Sequence, residues 1–168
     1  MPSKKAINAD NQQERLKTIG WITGYVDGEG CFSVSLFRNK TTKFGWQVFP
    51  EFVVTQGEKS KESLKVLKNF FKCGKVYVNK RYDNHNENLY SFCVRSKKEL
   101  SEIIIPFFKE HNLKTAKKED FKIFAKIIEM MNANKHSELD GIKKIARLIE
   151  KMNHKKSSKF LESSETKS

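Results

Sequence analysis

The chain has 168 residues, of which 38% are hydrophobic, and this length is sufficient for one domain with a core. Its formal net charge of +13 indicates a polyanionic partner and favours nucleic acid over a membrane surface. Three scattered cysteines exclude a disulfide framework and a zinc pattern, and no apolar stretch reaches transmembrane length. Lysine supplies most of the charge, for which an AT-rich genome or a hot habitat is the alternative explanation.

The first predicted helix contains a stripe of glycines. Residues 1–13 are polar and predict a flexible lead, and the helix is expected over residues 14–27. Gly20, Gly24 and Gly28 fall on one face of it, since residues four apart are neighbours. Each glycine in a helix interior costs about 0.8–1 kcal/mol relative to alanine. The stripe therefore predicts the close approach of a second helix.

Two acids, Asp27 and Glu29, stand where this helix ends. Carboxylates at a helix C-terminus oppose the macrodipole by roughly 0.3–1 kcal/mol each, and these two also repel each other. A bound cation would relieve both problems.

Four strands are predicted as two hairpins, over residues 31–40 and 46–56, and then over 75–81 and 89–95. Apolar side chains alternate with polar, basic and aromatic ones, so one face of the sheet is expected to lie on nucleic acid. An ordinary solvent-exposed sheet predicts the same alternation, and only the net charge favours the first interpretation. Pro50 predicts an edge position or a bulge.

Helices are predicted between and after the hairpins. Ser60 and Ser96 are the expected N-caps of two of them. Pro106 is expected to kink or shorten the second. Further helices are predicted over residues 118–131 and from Ser137, each with an apolar stripe typical of a core.

This element order, combined with the run from Ile22 to Gly30, resembles the LAGLIDADG homing endonucleases. The resemblance covers residues 14–153 and leaves 154–168 as a polar tail that is expected to be disordered. It implies an α+β fold, an αββαββα lobe with an antiparallel DNA-binding β-saddle and extra C-terminal helices. The motif matches are Gly24, Asp27 and Gly30, with conservative matches at Ile22, Val26 and Glu29. The stretches 54–56 and 113–118 look like those of members with one motif per chain.

The resemblance also implies the active-site residues. Glu29, as the last acid of the motif, would be a metal ligand, together with the carbonyl of Gly28, and the metal would be Mg²⁺. Gln56 matches a polar residue near the catalytic water, and Lys117 matches a lysine near the scissile phosphate. The alternatives for this lysine are Lys114 and Lys118, and a further basic group would be Lys59 or Lys61.

The sequence thus predicts a Mg²⁺-dependent endonuclease that cuts both strands of a long, roughly palindromic double-stranded DNA site. Because the chain carries one motif, we expect a homodimer whose interface includes Gly20, Gly24 and Asp27. The expected base-reading residues, each of which could equally be a plain exposed strand residue, are Ser33, Ser35, Phe37, Asn39, Gln47, Glu51, Asn79, Arg81 and Ser91.

Two other functions remain open on the sequence alone. One is a non-cleaving binder of the same fold, either an RNA-splicing maturase with intron RNA as its partner or a DNA-binding regulator. The other is a dimeric scaffold in which the glycine-rich run is only a turn. In each case the expected location is intracellular, in a bacterial cytoplasm or an organelle, without a membrane partner.

Overall fold

The structure, a computed structural model, describes residues 4–80, with the backbone alone for 4–10, and residues 87–152 and 160. Helices and strands alternate in the order αββαββα and are followed by three further helices. The elements are α1 (Lys4–Glu29), β1 (Gly30–Arg38), β2 (Trp46–Gly57), α2 (Lys61–Phe71), β3 (Lys75–Asn79), β4 (Leu89–Val94), α3 (Lys97–Glu99), α4 (Ile105–Glu110), α5 (Lys117–Asn132) and α6 (Leu139–Met152). Short 3₁₀ turns occupy Glu58–Ser60 and Lys135–Ser137, and a π turn occupies Leu100–Ile104.

The four strands form one antiparallel sheet in the order β1-β2-β4-β3. The inner-face residues of β1 and β2 are buried or partly buried, except Arg38 at the end of β1, which confirms the predicted alternation. Phe32 on β1 stacks on Phe52 of β2 with ring centroids 5.0 Å apart. Phe121 and Phe124 of α5 pack on the same Phe32 ring at 5.1 and 5.4 Å. The core therefore lies between the inner sheet face and the helices, and the outer face is left for contact with a partner.

α1 begins ten residues earlier than the sequence predicts and ends two residues later. The predicted flexible lead is helical over residues 4–13, which are polar but contain neither glycine nor proline. All side chains over residues 11–17 are exposed, so this part of the helix has no buried apolar stripe from which it could be predicted. The expectation of a flexible segment was therefore wrong for residues 4–13.

Pro50 lies in β2, which has a neighbour on each side in the sheet. β4 pairs only with residues 52–57 of β2, so at Pro50 the strand has β1 alone beside it. The register with β1 runs unbroken through the pair Val34 and Pro50, which excludes a bulge there. The edge prediction is thus correct locally, because a proline without an N–H is tolerated where no second strand needs that donor.

The predicted helix caps have mixed outcomes. The hydroxyl of Ser96 accepts a hydrogen bond from the amide of Glu99 at 3.3 Å, which confirms this N-cap. Ser60 stands at the predicted position, but its side chain makes no capping bond. Pro106 follows the π turn at the start of α4, and this wider turn accommodates the missing N–H, so the helix is interrupted as expected.

Phe160 is buried between α6 and Trp46, the first residue of β2, with 4% of its surface exposed. It packs against Ile142 and Ala146 of α6, and its ring lies edge-on to Trp46 at 5.3 Å. The prediction of a disordered tail was therefore wrong at this residue, and residues 153–159 and 161–168 lie outside the described part. Within the described ranges, no helix combines the length and the apolar character needed to cross a membrane.

Candidate active site and nucleic-acid interface

The C-terminal end of α1 runs directly into β1, which places its last residues at one end of the sheet. Gly30 makes this tight junction possible. A Cβ there would lie 2.6 Å from Cγ1 and 2.8 Å from the carbonyl oxygen of Val26. Glu29 is exposed, and within the described residues its carboxylate has no hydrogen-bonding or ion-pair partner. The structure thus presents one unpaired carboxylate at the junction of helix and sheet.

Asp27 joins the end of α1 to the loop before α5. Its carboxylate accepts hydrogen bonds from the backbone amide of Lys114 at 2.8 Å and from the hydroxyl of Thr115 at 2.6 Å. The amide of Thr115 also donates to both carboxylate oxygens at 3.2 Å. Desolvation raises the pKa of Asp27, but the hydrogen bonds from Thr115 and Lys114 outweigh it, so the pKa lies below its ordinary value.

Lys117, at the first turn of α5, binds the end of α1 from the other side. Its ammonium donates to the carbonyl oxygen of Val26 at 2.9 Å and to that of Gly28 at 3.1 Å. The last carbonyls of a helix lack partners within the helix and favour a cation. Burial lowers the pKa of Lys117, although Asp27 and Glu29 act in the opposite direction.

These contacts change the interpretation of the two acids. The cation that the helix end requires is supplied in part by Lys117, and Asp27 is stabilised by hydrogen bonds within the chain. Asp27 was also predicted for the dimer interface, but both of its oxygens are used inside the chain. Glu29 is left as the acid whose carboxylate has no hydrogen-bonding or ion-pair partner among the described residues, although Lys117 lies close enough to interact with its charge.

Gln56, at the end of β2, belongs to the same end of the sheet. The phenol oxygen of Tyr25 on α1 is 2.6 Å from the hydroxyl of Ser63 on α2. Burial raises the pKa of Tyr25, although the side chains of Ser63 and Gln56 lower it. Tyr25 lies one helical turn before Glu29 and was missed in the sequence, where only this four-residue spacing could have indicated it.

The outer face of the sheet carries most of the predicted base-reading residues. β1 and β2 place them in register, with Ser33 opposite Glu51 and Phe37 opposite Gln47. Asn39 lies just beyond β1, and its amide donates to the Gln47 amide oxygen at 2.5 Å. The others on this face are Ser35, Asn79 and Ser91, while Arg81 lies outside the described residues.

Arg95 is a further cation on this outer face, and it was not among the expected base-reading residues. It follows β4, and its Nε donates to the carboxylate of Glu51 on β2. Its guanidinium carbon lies 5.7 Å from the ring centroid of Phe49 and 5.0 Å from that of Tyr77. Alternation along the predicted strand over residues 89–95 places Arg95 on this face. Its partners come from other strands, so they could not be predicted from the sequence.

The glycine stripe of α1 is uncovered in the single chain. Gly20, Gly24 and Gly28 are exposed, and a Cβ built on each would meet nothing within 4 Å among the described residues. Trp21, beside the stripe, keeps 44% of its surface exposed and stacks on Tyr25 at 4.8 Å. The close helix approach that the glycines predict is therefore not made within the described chain.

The donor set at the end of α1 suits a hard cation. Mg²⁺ prefers oxygen ligands in an octahedral arrangement and retains several waters, and Glu29 and Gly28 offer a carboxylate and a carbonyl oxygen. Among the described residues, no group of three or more histidine, cysteine, aspartate or glutamate side chains could hold a metal ion. The residues present thus fit part of a magnesium site, whose other ligands would come from water, phosphate or a second chain.

Comparison with known proteins agrees with this geometry. The model of a family described as LAGLIDADG endonuclease matches residues 22–128. A probable intron-encoded endonuclease 2 of Neurospora crassa is 36% identical over 125 residues, which are 74% of this chain and 27% of that protein. The chain therefore spans about a quarter of the length of this curated relative.

Solved structures show the same fold. The crystal structure of a homing endonuclease, I-TnaI, matches with a TM-score of 0.76 at 36% identity, over 88% of this chain and 96% of that one. I-SmaMI bound to its uncleaved DNA target in the presence of calcium ions matches with a TM-score of 0.76 at 32% identity, over 85% of this chain and 47% of that one.

Proposed function

Because this chain belongs to the LAGLIDADG endonuclease family, we propose that it cuts both strands of a long, roughly palindromic double-stranded DNA site. The observation that carries the proposal is the exposed carboxylate of Glu29 at the junction of α1 with the sheet, which has no partner in the part of the chain that the structure describes. The Lys117 ammonium is bonded to the neighbouring Gly28 carbonyl at 3.1 Å. A carboxylate and an ammonium group thus stand together where the polar sheet face begins.

The metal of this site would be held by Glu29 and by the carbonyl of Gly28. When bound, Mg²⁺ supplies neutralisation of the phosphate charge and a more acidic water. The binding of a metal to the Gly28 oxygen would compete with Lys117 for that atom. The ammonium would then be free to turn toward the phosphate, where a lysine acts as a point charge.

Gln56 would act on the water. Its amide has both donor and acceptor atoms, so it can orient a water molecule at the end of the sheet without a change in its own charge. We therefore assign Gln56 to positioning of the nucleophile, and Lys117 to stabilisation of charge on the phosphate.

We propose that two copies of this chain act together as a homodimer. Each chain offers one Glu29 at one helix end, while a duplex has two strands to be cut. The uncovered glycine stripe of α1 provides a surface on which the same stripe of a second copy can pack closely. Paired in this way, two helix ends would present their carboxylates side by side.

The test of cleavage uses Glu29→Gln, which keeps the size of the side chain and removes its charge. The full-length protein is incubated with Mg²⁺ and a plasmid library that carries randomised duplex inserts, and cut sites are sequenced. We expect the wild type to cut a defined site and Glu29→Gln to bind it without cutting. The matched control is Glu102→Gln, an exposed acid on the π turn, which is expected to cut normally. Cleavage by Glu29→Gln at the wild-type rate would refute the role of this acid.

The test of the dimer uses Gly24→Leu. Because a Cβ at this position would meet nothing within 4 Å among the described residues, the monomer is expected to fold at least as stably as the wild type. The dimer, measured by light scattering, and cleavage are both expected to be lost. Lys144→Leu on the exposed face of α6 is the control for added apolar surface. An intact dimer of Gly24→Leu would remove the argument for helix pairing.

A further inference from the structure

Arg95 is held on the outer sheet face by contacts on several sides. Its Nε donates to the carboxylate of Glu51, and its guanidinium lies within 5.7 Å of the Phe49 ring centroid and 5.0 Å of that of Tyr77. An ion pair and two cation–π contacts restrict the same planar group. The guanidinium is therefore oriented before any DNA binds.

The donors that remain on Arg95 suit a flat acceptor. A guanidinium carries five N–H donors, and Glu51 is bonded to the one on Nε. In the part of the chain that the structure describes, no hydrogen bond involves Nη1 or Nη2. The Arg95 side chain is 44% exposed, whereas that of Glu51 is only 20% exposed. The two Nη groups thus form an accessible pair of donors at the end of an immobilised side chain.

Two groups of DNA accept such a pair of donors, the phosphate and the O6/N7 edge of guanine. A phosphate would carry its negative charge close to the carboxylate of Glu51, which opposes the approach. Guanine is neutral, so its edge meets no such repulsion. The pair of Arg95 and Glu51 also has no net charge. Its contact with a phosphate would therefore release few counterions, and counterion release is what favours phosphate contacts.

We propose that Arg95 reads a guanine in the major groove, and that Glu51 is a positioning residue for Arg95 rather than a base reader itself. The proposal rests on the DNA-binding function proposed above and names one base that this function selects. In a homodimer the guanine would occur at the same place in both halves of the site.

Arg38 offers a comparison from the opposite face of the sheet. It ends β1, pairs with Trp46 of β2, and its guanidinium carbon lies 4.8 Å from the Trp46 ring centroid. Within the described residues it has no acidic partner, so its donors are not oriented in the same way. Its replacement is expected to leave the guanine preference that depends on Arg95 unchanged.

The experiment is a binding selection from a fully randomised duplex library, without Mg²⁺ so that cleavage is not required. Wild type, Arg95→Met, Glu51→Gln and Arg38→Met are compared after thermal melting has shown that each is folded. The wild type is expected to enrich guanine at one position of each half-site. Arg95→Met is expected to lose this preference by roughly 5- to 150-fold, the range of one bidentate base contact, with preferences elsewhere retained.

The Glu51→Gln variant separates positioning from reading. We expect it to weaken the guanine preference at the position that depends on Arg95, with overall affinity unchanged or raised because a negative charge is removed. If Glu51 read a base itself, a preference at a different position would change, and the assignment would be wrong.

Two further outcomes would overturn the proposal. Uniformly weaker binding of Arg95→Met, with every base preference unchanged, would show a phosphate contact. A wild-type site without guanine at any position sensitive to Arg95 would exclude the base contact. Failure of the wild type to enrich any duplex sequence would instead contradict the proposed function, so the two failures are distinguishable.

Discussion

The end of α1 and the outer face of the sheet hold their polar side chains in different ways. At the helix end, Asp27 and Lys117 bond to backbone amides and carbonyls of segments far apart in the chain. On the sheet face, side chains bond mainly to one another, as Thr55 does with Ser91 at 2.8 Å. Contacts to the backbone tie a side chain to the fold itself. The helix end is therefore expected to tolerate few substitutions, whereas the sheet face can change its residues and hence its target.

The largest effect should follow from Lys117→Met. The substitution removes the cation that bonds the carbonyls of Val26 and Gly28 and that would face the phosphate. Loss of one group that stabilises transition-state charge typically lowers the rate about 10²- to 10³-fold. We expect cleavage of the selected site to fall by this factor, while binding of the same duplex changes much less.

The control for this variant is its neighbour Lys118, one of the two alternatives for the catalytic lysine. Lys118→Met removes an equal charge without a bond to the end of α1. Cleavage by this variant is expected to stay near that of the wild type. A larger loss of cleavage in Lys118→Met than in Lys117→Met would place the catalytic lysine one residue later.

A smaller effect, on stability rather than on rate, is expected from Asp27→Ala. The amides of Lys114 and Thr115 would lose a charged acceptor, and hydrogen bonds to charged groups contribute about 1.5–3 kcal/mol in favourable cases. Because these bonds are solvent-accessible, we expect a decrease of about 1 kcal/mol in the free energy of unfolding, measured with urea. Thr115→Ser keeps the hydroxyl and should leave most of this stability in place.

The hydrogen bonds of Asp27 to Lys114 and Thr115 also predict that stability depends on pH. The pKa of Asp27 is lower in the folded chain than its ordinary value of 3.8, so the folded state favours the ionised carboxylate. Its contribution is complete above that ordinary value and is lost as the pH falls through the folded pKa. The difference in unfolding free energy between wild type and Asp27→Ala should shrink below about pH 4. A difference that stayed constant down to pH 2 would contradict a stabilising role for the ionised Asp27 carboxylate.

The same contrast explains which parts could be predicted from the sequence. The αββαββα order followed from alternation in the strands and from apolar stripes such as Phe121, Phe124 and Ile128, since burial imposes these periods. Glu29 and Lys117 are predicted as site residues through the motif and the family resemblance. The helical start at Lys4 could not be predicted, because residues 4–13 carry no apolar stripe in the sequence.

Contacts between distant segments could not be predicted in the same way. The bond of Asp27 to Thr115 joins residues 88 positions apart, and the pair of Arg95 with Glu51 joins residues 44 positions apart. Periodicity reports only which face a side chain occupies. It does not report the register between strands, so Glu51 was expected to face DNA without its arginine partner.

The smallest effect is expected from Ser91→Ala on the outer face. Its hydroxyl bonds that of Thr55 in the neighbouring strand at 2.8 Å, in an exposed position. Surface substitutions away from caps and networks usually change stability by less than about 0.5 kcal/mol, so the melting temperature should remain close to that of the wild type. The selected DNA site should change at one position or at none. If Ser91→Ala destabilised the chain as much as Asp27→Ala, the hydroxyl pair would belong to the fold, and the contrast between a fixed helix end and an adaptable sheet face would fail.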